Sequence, residues 1–491
     1  MVKKTIEKQS TESTQRREFL KKSALTLGGV TIMPYENIFG SKKIWNEATQ
    51  SLRTSSYAPS EKVNLACIGI GYRGGRVVND LYNTGLANIV ALCDVDMEAE
   101  HTLEIIKMFP DVPRFKDFRQ MFDKMGSQIE AVTVGTPDFS HFPITMLAMS
   151  LGKHVYVEKP LARTFNEVEL LMAAAKKHGV VTQMGNQGHS GENYFQFKAW
   201  KEAGIIKDVT AITAHMNKSR RWHKFDPLMT SLPKQQPIPG TLDWDVWLNT
   251  SQDHDFNKDY HHGQWRCWYD FGMGALGDWG AHILDTAHEF LELGLPYEIN
   301  PTYLNGHNSF FFPFSSTIEF KFGARGNMPP VDVTWKDGLD NVPTVPEGYM
   351  YQGKDVDIPA ASNKDEAGAT LQPGKIIYSK ELTFQGGTHS KPLMIVNRDK
   401  YPDLKLPEVP VSPSDHFANF LLACKGEEKA RSSFEISGPL SQVFALGVAA
   451  QRMGSKLIFD KDTRKFTNNV YANELLDGLP PRKGWEEFYK L

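Results

Sequence analysis

The chain is 491 residues long, enough for two substantial domains that each bury their own core. At 41% hydrophobic and 23% charged it has the composition of a globular protein, not of a disordered or fibrous one. Lys+Arg 55 against Asp+Glu 58 leaves a net charge of -3, which gives no basis for nucleic-acid or anionic-membrane binding and suits a neutral or weakly charged small substrate.

The N-terminus carries Ser13-Thr14-Gln15-Arg16-Arg17-Glu18-Phe19-Leu20-Lys21-Lys22, followed by a mild apolar run from Ala24 to Met33. That run is too short to span a bilayer, which takes about 20 residues. Paired arginines ahead of a Gly-containing apolar segment predict a twin-arginine export signal over residues 1–35, although Gln15 departs from the preferred Ser or Thr and no clean cleavage site follows. Export by that route carries proteins already folded and places this one in the periplasm or otherwise outside the cytoplasm. Residues 36–60, with Ser51, Ser55, Ser56 and Pro59, read as a linker.

From Glu61 short apolar runs alternate with amphipathic ones. Strands are predicted at Val63 to Ile68, Ile89 to Cys93, Ala131 to Val134, His154 to Val157 and Val180 to Met184. Helices are predicted to begin at Gly74 and to cover Met97 to Met108, His141 to Leu151 and Asn166 to His178. Continuous apolar strands separated by helices mean a parallel sheet covered on both faces, hence a doubly wound nucleotide-binding domain over 61–185. The second domain, 186–491, reads differently. Ser316 to Phe322 and Val331 to Trp335 alternate like strands of an open sheet, residues 337–375 form a polar excursion, and a helical stretch runs from an N-cap at Ser414 to Ser455. Of the four cysteines, Cys67 and Cys93 lie in buried strands, and no pair has metal-binding spacing.

Three clusters carry chemistry. Gly69-Ile70-Gly71-Tyr72-Arg73-Gly74 follows a strand and opens a helix, the setting in which a glycine triplet makes a tight turn, admits a pyrophosphate and packs helix on strand. Asp94 closes the next strand, where a carboxylate accepts from ribose hydroxyls and repels a 2′-phosphate; this favours NAD over NADP. Gly135-Thr136-Pro137-Asp138 and Glu158-Lys159-Pro160 end two later strands, at the edge where ligands bind in open α/β sheets. Finally, Asp278 and His282 stand four apart on a helix, so the carboxylate can set the tautomer of the imidazole and raise its basicity. The same spacing also suits helix packing. His261, His262 and His288 are near in sequence, but the spacing of His282 and His288 fits no zinc pattern, and no metal is predicted.

In this order and spacing, these motifs resemble the glucose–fructose oxidoreductase/inositol dehydrogenase (Gfo/Idh/MocA) family over about residues 62 to 470. Gln183-Met184-Gly185-Asn186-Gln187-Gly188-His189 and Trp265-Arg266 resemble its exported branch. The resemblance implies an α/β protein: a Rossmann domain, then an α+β domain with an open, mostly antiparallel sheet, the sugar bound between them. It implies a cis peptide before Pro160. It also implies that Lys159, Asp278 and His282 are catalytic: His282 takes a hydroxyl proton, Asp278 orients it, and Lys159 steadies the alkoxide. Gly69, Ile70, Gly71, Tyr72, Arg73, Gly74, Asp94, Thr136, Pro137, His141, Glu158, Lys159 and Asn186 would hold NAD. Lys159, His189, Trp265, Arg266, Asp278 and His282 would meet a small carbohydrate.

The reaction implied is reversible oxidation of a secondary hydroxyl of a sugar or glycoside, C3 among the positions, with the cofactor tightly held. The alternative is an NAD-dependent glycosidase working by oxidation, elimination, hydration and reduction. Members of that group carry Tyr and His in place of Glu-Lys-Pro and Asp-x-x-x-His, so Lys159 and Asp278 favour the dehydrogenase. The exposed sheet face implies a homo-oligomer. Trp222, Trp265, Trp268 and Trp279 could each stack on a sugar or pack in a core.

Overall fold

The computed structural model describes residues 62–216, 226–261, 264–338, 340–350 and 371–490. The twin-arginine segment, Trp222, His262 and most of the 337–375 excursion lie outside them.

The first half runs β1 (Val63–Ile68), α1 (Tyr72–Asn83), β2 (Ala87–Cys93), α2 (Leu103–Met108), β3 (Arg114–Phe115), α3 (Phe118–Met125), β4 (Ala131–Val134), α4 (His141–Ser150), β5 (His154–Val157), α5 (Phe165–His178) and β6 (Thr182–Met184). Its six strands are ordered β3-β2-β1-β4-β5-β6 and all pair in parallel. The order reverses between β1 and β4. At such a switch point the connections leave the sheet in opposite directions and open a crevice at the carboxyl ends of the strands. β1 and β4 are buried along nearly their whole length, as strands covered on both faces must be. Local chemistry places the helices: α5 opens with a reciprocal capping box between Thr164 and Glu167 and closes on Gly179 at φ +60.

The second half contains α6 (Glu192–Glu202), β7 (Val209–Met216), α7 (Trp244–Leu248), α8 (Gly274–Ile283), α9 (Asp285–Phe290), β8 (Glu298–Asn305), β9 (Ser315–Phe322), β10 (Val331–Asp337), β11 (Gly374–Ser379), β12 (Thr383–Gly386), β13 (Met394–Ile395), α10 (His416–Cys424), α11 (Phe434–Met453), β14 (Leu457–Asp460), β15 (Lys465–Phe466) and α12 (Glu474–Asp477). Its nine strands are ordered β13-β12-β11-β7-β10-β9-β8-β14-β15, antiparallel except for β7 with β10. The fold is therefore a Rossmann domain followed by a domain on a mostly antiparallel mixed sheet, as read from the sequence.

Two features depart from that reading. The helix expected to start at Ser414 is capped by Asp415, whose carboxylate accepts from the Phe417 and Ala418 amides, while the Ser414 hydroxyl is occupied with Glu428. The C-terminal region is also shared between the domains: β14 and β15 stay in the second sheet, while other parts pack on the first domain. Phe420 and Leu421 of α10 join the core of β1 and α1, and Trp485 and Phe488 pack against Phe118. Among the described residues, no helix is long and apolar enough to cross a membrane.

Candidate active site

The glycine turn sits at the switch point. Gly69 has φ +75, and a Cβ there would lie 2.8 Å from Gly135 and Thr136. A Cβ at Gly74 would lie 1.9 Å from the Gly69 carbonyl oxygen, so helix and strand can approach this closely only with glycine present. Gly71 has a different neighbour: a Cβ there would lie 2.1 Å from the His101 ring. That ring stacks on the exposed Tyr72 at 4.7 Å, and the two rings wall one side of the turn.

α1 starts at Gly71 with no side-chain cap and no acidic residue in its first turn, which leaves its N-terminal amides to an anion. The Ile70 amide donates to Asp94 Oδ2 at 2.9 Å and the Asp96 amide to Asp94 Oδ1 at 3.1 Å, fixing the carboxylate at the end of β2. Burial raises the Asp94 pKa to about 6 against the pull of those amides. A turn closed by glycine, an uncapped helix start and a held carboxylate fit a dinucleotide: pyrophosphate at the amides, ribose hydroxyls at Asp94. Arg73 turns away from the turn and donates to Glu158 Oε1 at 3.0 Å. Burial works to raise the Glu158 pKa, but Arg73 and Lys159 outweigh it and leave it lowered.

At the ends of β4 and β5, His141 ties two loops together. Its Nδ1 lies 2.7 Å from the Pro160 carbonyl oxygen and its Nε2 2.9 Å from that of Thr136. Burial lowers its pKa despite the nearby Asp138. Expected beside the cofactor ring, His141 sets both ring nitrogens against backbone carbonyls of the loops that carry Thr136, Pro137 and Lys159, and the neutral ring donates to one of them. The Lys159–Pro160 peptide is cis.

Lys159 meets α8. Its Nζ donates to Asp278 Oδ1 at 2.6 Å and to the Asp278 carbonyl at 3.0 Å. Arg266 donates to the same Oδ1 at 2.8 Å, lies 3.6 Å from Asp138 and rests over the Trp265 ring at 4.3 Å. The Asp278 carboxylate thus serves two cations, a partnership that the i, i+4 spacing toward His282 did not foretell. His282 stacks on His389 at 4.0 Å, and the His389 amide donates to the His282 carbonyl at 2.9 Å. Packing explains the orientation. Gly280, midway between Asp278 and His282, faces α11 so closely that a Cβ would lie 2.6 Å from Phe444, which turns Asp278 and His282 to the other side.

Other residues expected at substrate or cofactor lie deeper. Asn186 donates to Asp285 Oδ1 at 2.9 Å and accepts from Ser432 at 2.6 Å, and His189 Nδ1 is 2.8 Å from Asp285 Oδ2. Both side chains are fully buried in a network behind α8 and α9. Burial pulls the His189 pKa down, but Asp285 and Glu289 outweigh it and leave it raised. Trp265 and Trp268 belong to an aromatic core with Phe139, Trp247 and Phe271. Sequence reasoning missed His389. Its only signal is the Gly386-Gly387-Thr388 run before it, a tight connection after a strand.

Residues 63–186 match the model of an oxidoreductase family with an NAD-binding Rossmann fold, and residues 198–367 match that family's C-terminal alpha/beta domain. The chain belongs to the Gfo/Idh/MocA oxidoreductases. Similar curated Gfo/Idh/MocA relatives include a glycosyl hydrolase family 109 protein of Streptomyces niveus, 28% identical over 36% of this chain and 37% of that protein. An alpha-N-acetylgalactosaminidase of Shewanella oneidensis is 30% identical over 33% of this chain and 37% of its own. The scyllo-inositol 2-dehydrogenase (NADP(+)) IolW of Bacillus subtilis is 28% identical over 25% of this chain and 35% of its own. The chain thus spans little more than a third of the length of these relatives. Among solved structures, the WlbA dehydrogenase of Bordetella pertussis, in complex with NADH and UDP-GlcNAcA, matches with TM-score 0.54 at 13% identity over 82% of this chain and 99% of that one. An NAD-binding protein from Listeria innocua matches with TM-score 0.50 at 14% identity over 81% and 97%. At these identities the likeness concerns the Gfo/Idh/MocA fold alone.

Proposed function

We propose that the protein is an NAD-dependent oxidoreductase that interconverts a secondary hydroxyl and a ketone on a sugar or glycoside, C3 among the candidate positions. The observation that carries this reading is the approach of Lys159, at the carboxyl edge of β5, to within 2.6 Å of Asp278 on the helix that also bears His282. When bound at the glycine turn, NAD supplies the hydride acceptor. Asp278 holds the Lys159 ammonium in place, and the ammonium donates to the substrate oxygen as negative charge builds on it. His282, one turn further along α8 and braced by His389, accepts the hydroxyl proton. The site is well screened from water, since Lys159 is 8% and His282 8% exposed.

A second reading is favoured by the glycosyl hydrolase family 109 relatives: an oxidation that starts an elimination and ends in glycoside cleavage. Incubating the protein and NAD with a glycoside panel and weighing the products separates the two. A product two hydrogens lighter supports the dehydrogenase, free sugar plus aglycone supports the glycosidase, and neither with any glycoside or free sugar sinks both.

We further propose export through the twin-arginine route, with NAD held through turnover and an oligomeric protein in the periplasm. Fusing residues 1–60 to a reporter active only after folded export should give signal, and Arg16→Lys with Arg17→Lys should abolish it. Undiminished signal from the double variant would refute the route.

A further inference from the structure

One buried charge beneath the site has no role in the chemistry above. Lys375 lies on β11, with Ala214 of β7 and Gly386 of β12 as its rung neighbours, and its side chain is 2% exposed. Its stem crosses Gly386, where a Cβ would lie 3.4 Å from Lys375 Cε. Three residues beyond Gly386 comes His389, the residue stacked on His282. Lys375 is therefore rooted under the loop that braces the proposed base.

An ammonium has three donors and is costly to bury unpaired. Among the described residues Lys375 has no hydrogen-bond or ion-pair partner, and the charge that acts on it is Asp285. That carboxylate is already taken by Asn186 and by His189, whose raised pKa supplies a counter-charge of its own. On the far side of His189, Glu289 lies 3.2 Å from Nε2. Nearer the reacting end, Lys159 and Arg266 share one oxygen of Asp278, with Asp138 a more distant partner of Arg266. These carboxylates are committed elsewhere, and a desolvated ammonium under the His389 loop lacks an acceptor among the described residues. Burial lowers its pKa to about 8, which leaves it mostly protonated at neutral pH.

We infer that Lys375 is a substrate-binding residue that receives the carboxylate of an acidic sugar, a uronate or aldonate, while another carbon of that sugar meets Lys159 and His282. This rests on the redox reading for the orientation of the sugar, but the binding claim stands apart from it. The test is calorimetric titration of the NAD-supplemented full-length protein with glucuronate and galacturonate, gluconate and galactonate, and with glucose and galactose as neutral parents. At least one sugar acid should bind about tenfold or more tightly than its parent, the scale of one charge-assisted hydrogen bond. Lys375→Met, an apolar side chain of similar length, should erase that preference while leaving neutral-sugar binding and the circular dichroism spectrum unchanged. If Lys375→Met does not fold, Lys375→Gln takes its place. Equal binding of acids and parents by the unaltered protein, or a preference that survives the substitution, would overturn the assignment. A sugar acid bound through Lys375 with no change in nicotinamide absorbance would keep the site and sink the redox reading.

Discussion

Asp278 is the residue whose removal the structure makes most informative, because one carboxylate oxygen serves both Lys159 and Arg266. Asp278→Ala removes a shared counter-charge from two cations whose side chains are 9% and 17% exposed. Breaking a buried pair from one side costs about 3–5 kcal/mol, most of it the penalty of an uncompensated charge. Arg266 retains Asp138 at 3.6 Å, which places the expected loss near the lower end, about 3 kcal/mol. For domains of this size that corresponds to a thermal midpoint lower by about 6–12 °C, read by circular dichroism. Because the cost is a lost counter-charge, adding Lys159→Met to Asp278→Ala should recover about 1 kcal/mol or more, a non-additivity that separates this mechanism from simple loss of packing. Asp278→Asn keeps an oxygen acceptor and should fall between Asp278→Ala and the unaltered protein. A midpoint for Asp278→Ala within about 2 °C of the unaltered protein, or no recovery in the double variant, would refute the reasoning.

Three further outcomes are expected. The Asp94 carboxyl, with its pKa raised to about 6, is neutral below that pH and accepts ribose hydroxyls only when ionised, so NAD affinity measured by calorimetry should fall as pH drops from 8 to 5. Asp94→Asn should bind NAD weakly at both ends of that range, and a full pH dependence in this variant would assign the titration elsewhere. Gly74→Ala drives a Cβ into the Gly69 backbone, whereas Gly71→Ala meets only the movable ring of His101. The first should therefore lower stability by about 1–3 kcal/mol or more in denaturant titrations and the second by much less, and equal losses would contradict the geometry. Lys159→Ala and His282→Ala should each reduce turnover by about 10²–10⁴ with NAD binding retained; normal turnover by His282→Ala on the best substrate would remove it as the base.

How much of this was legible in the chain follows the range of the interactions. Five of the six strands of the first sheet could be read because each is a short apolar run bounded by glycine, proline or an amphipathic helix; β3, two residues long and not buried, could not. The glycine turn was legible because its constraints act within a few residues or between successive strand ends. At α8 the same local reasoning correctly set Asp278 and His282 on one face, but local spacing could not show what would compete for the carboxylate. Arg266, 12 residues away, and Lys159, 119 residues away, both reach it.

Asn186 and His189 show the same limit. Their motif pointed to the crevice, yet packing of α9 brought Asp285 to both and drew them into a buried network. Lys375 and His389 were invisible for a related reason: a lysine in an alternating strand ordinarily faces solvent, and only the tertiary packing around β11 determines that this one does not. Sequence periodicity, through hydrogen-bond geometry and the side-chain repeat, determined the elements, the order of the two domains and the site of the dinucleotide turn. The tertiary structure alone decided which charges share a partner and which is left without one, because burial and long-range contact set electrostatic strength, and neither is encoded in local spacing.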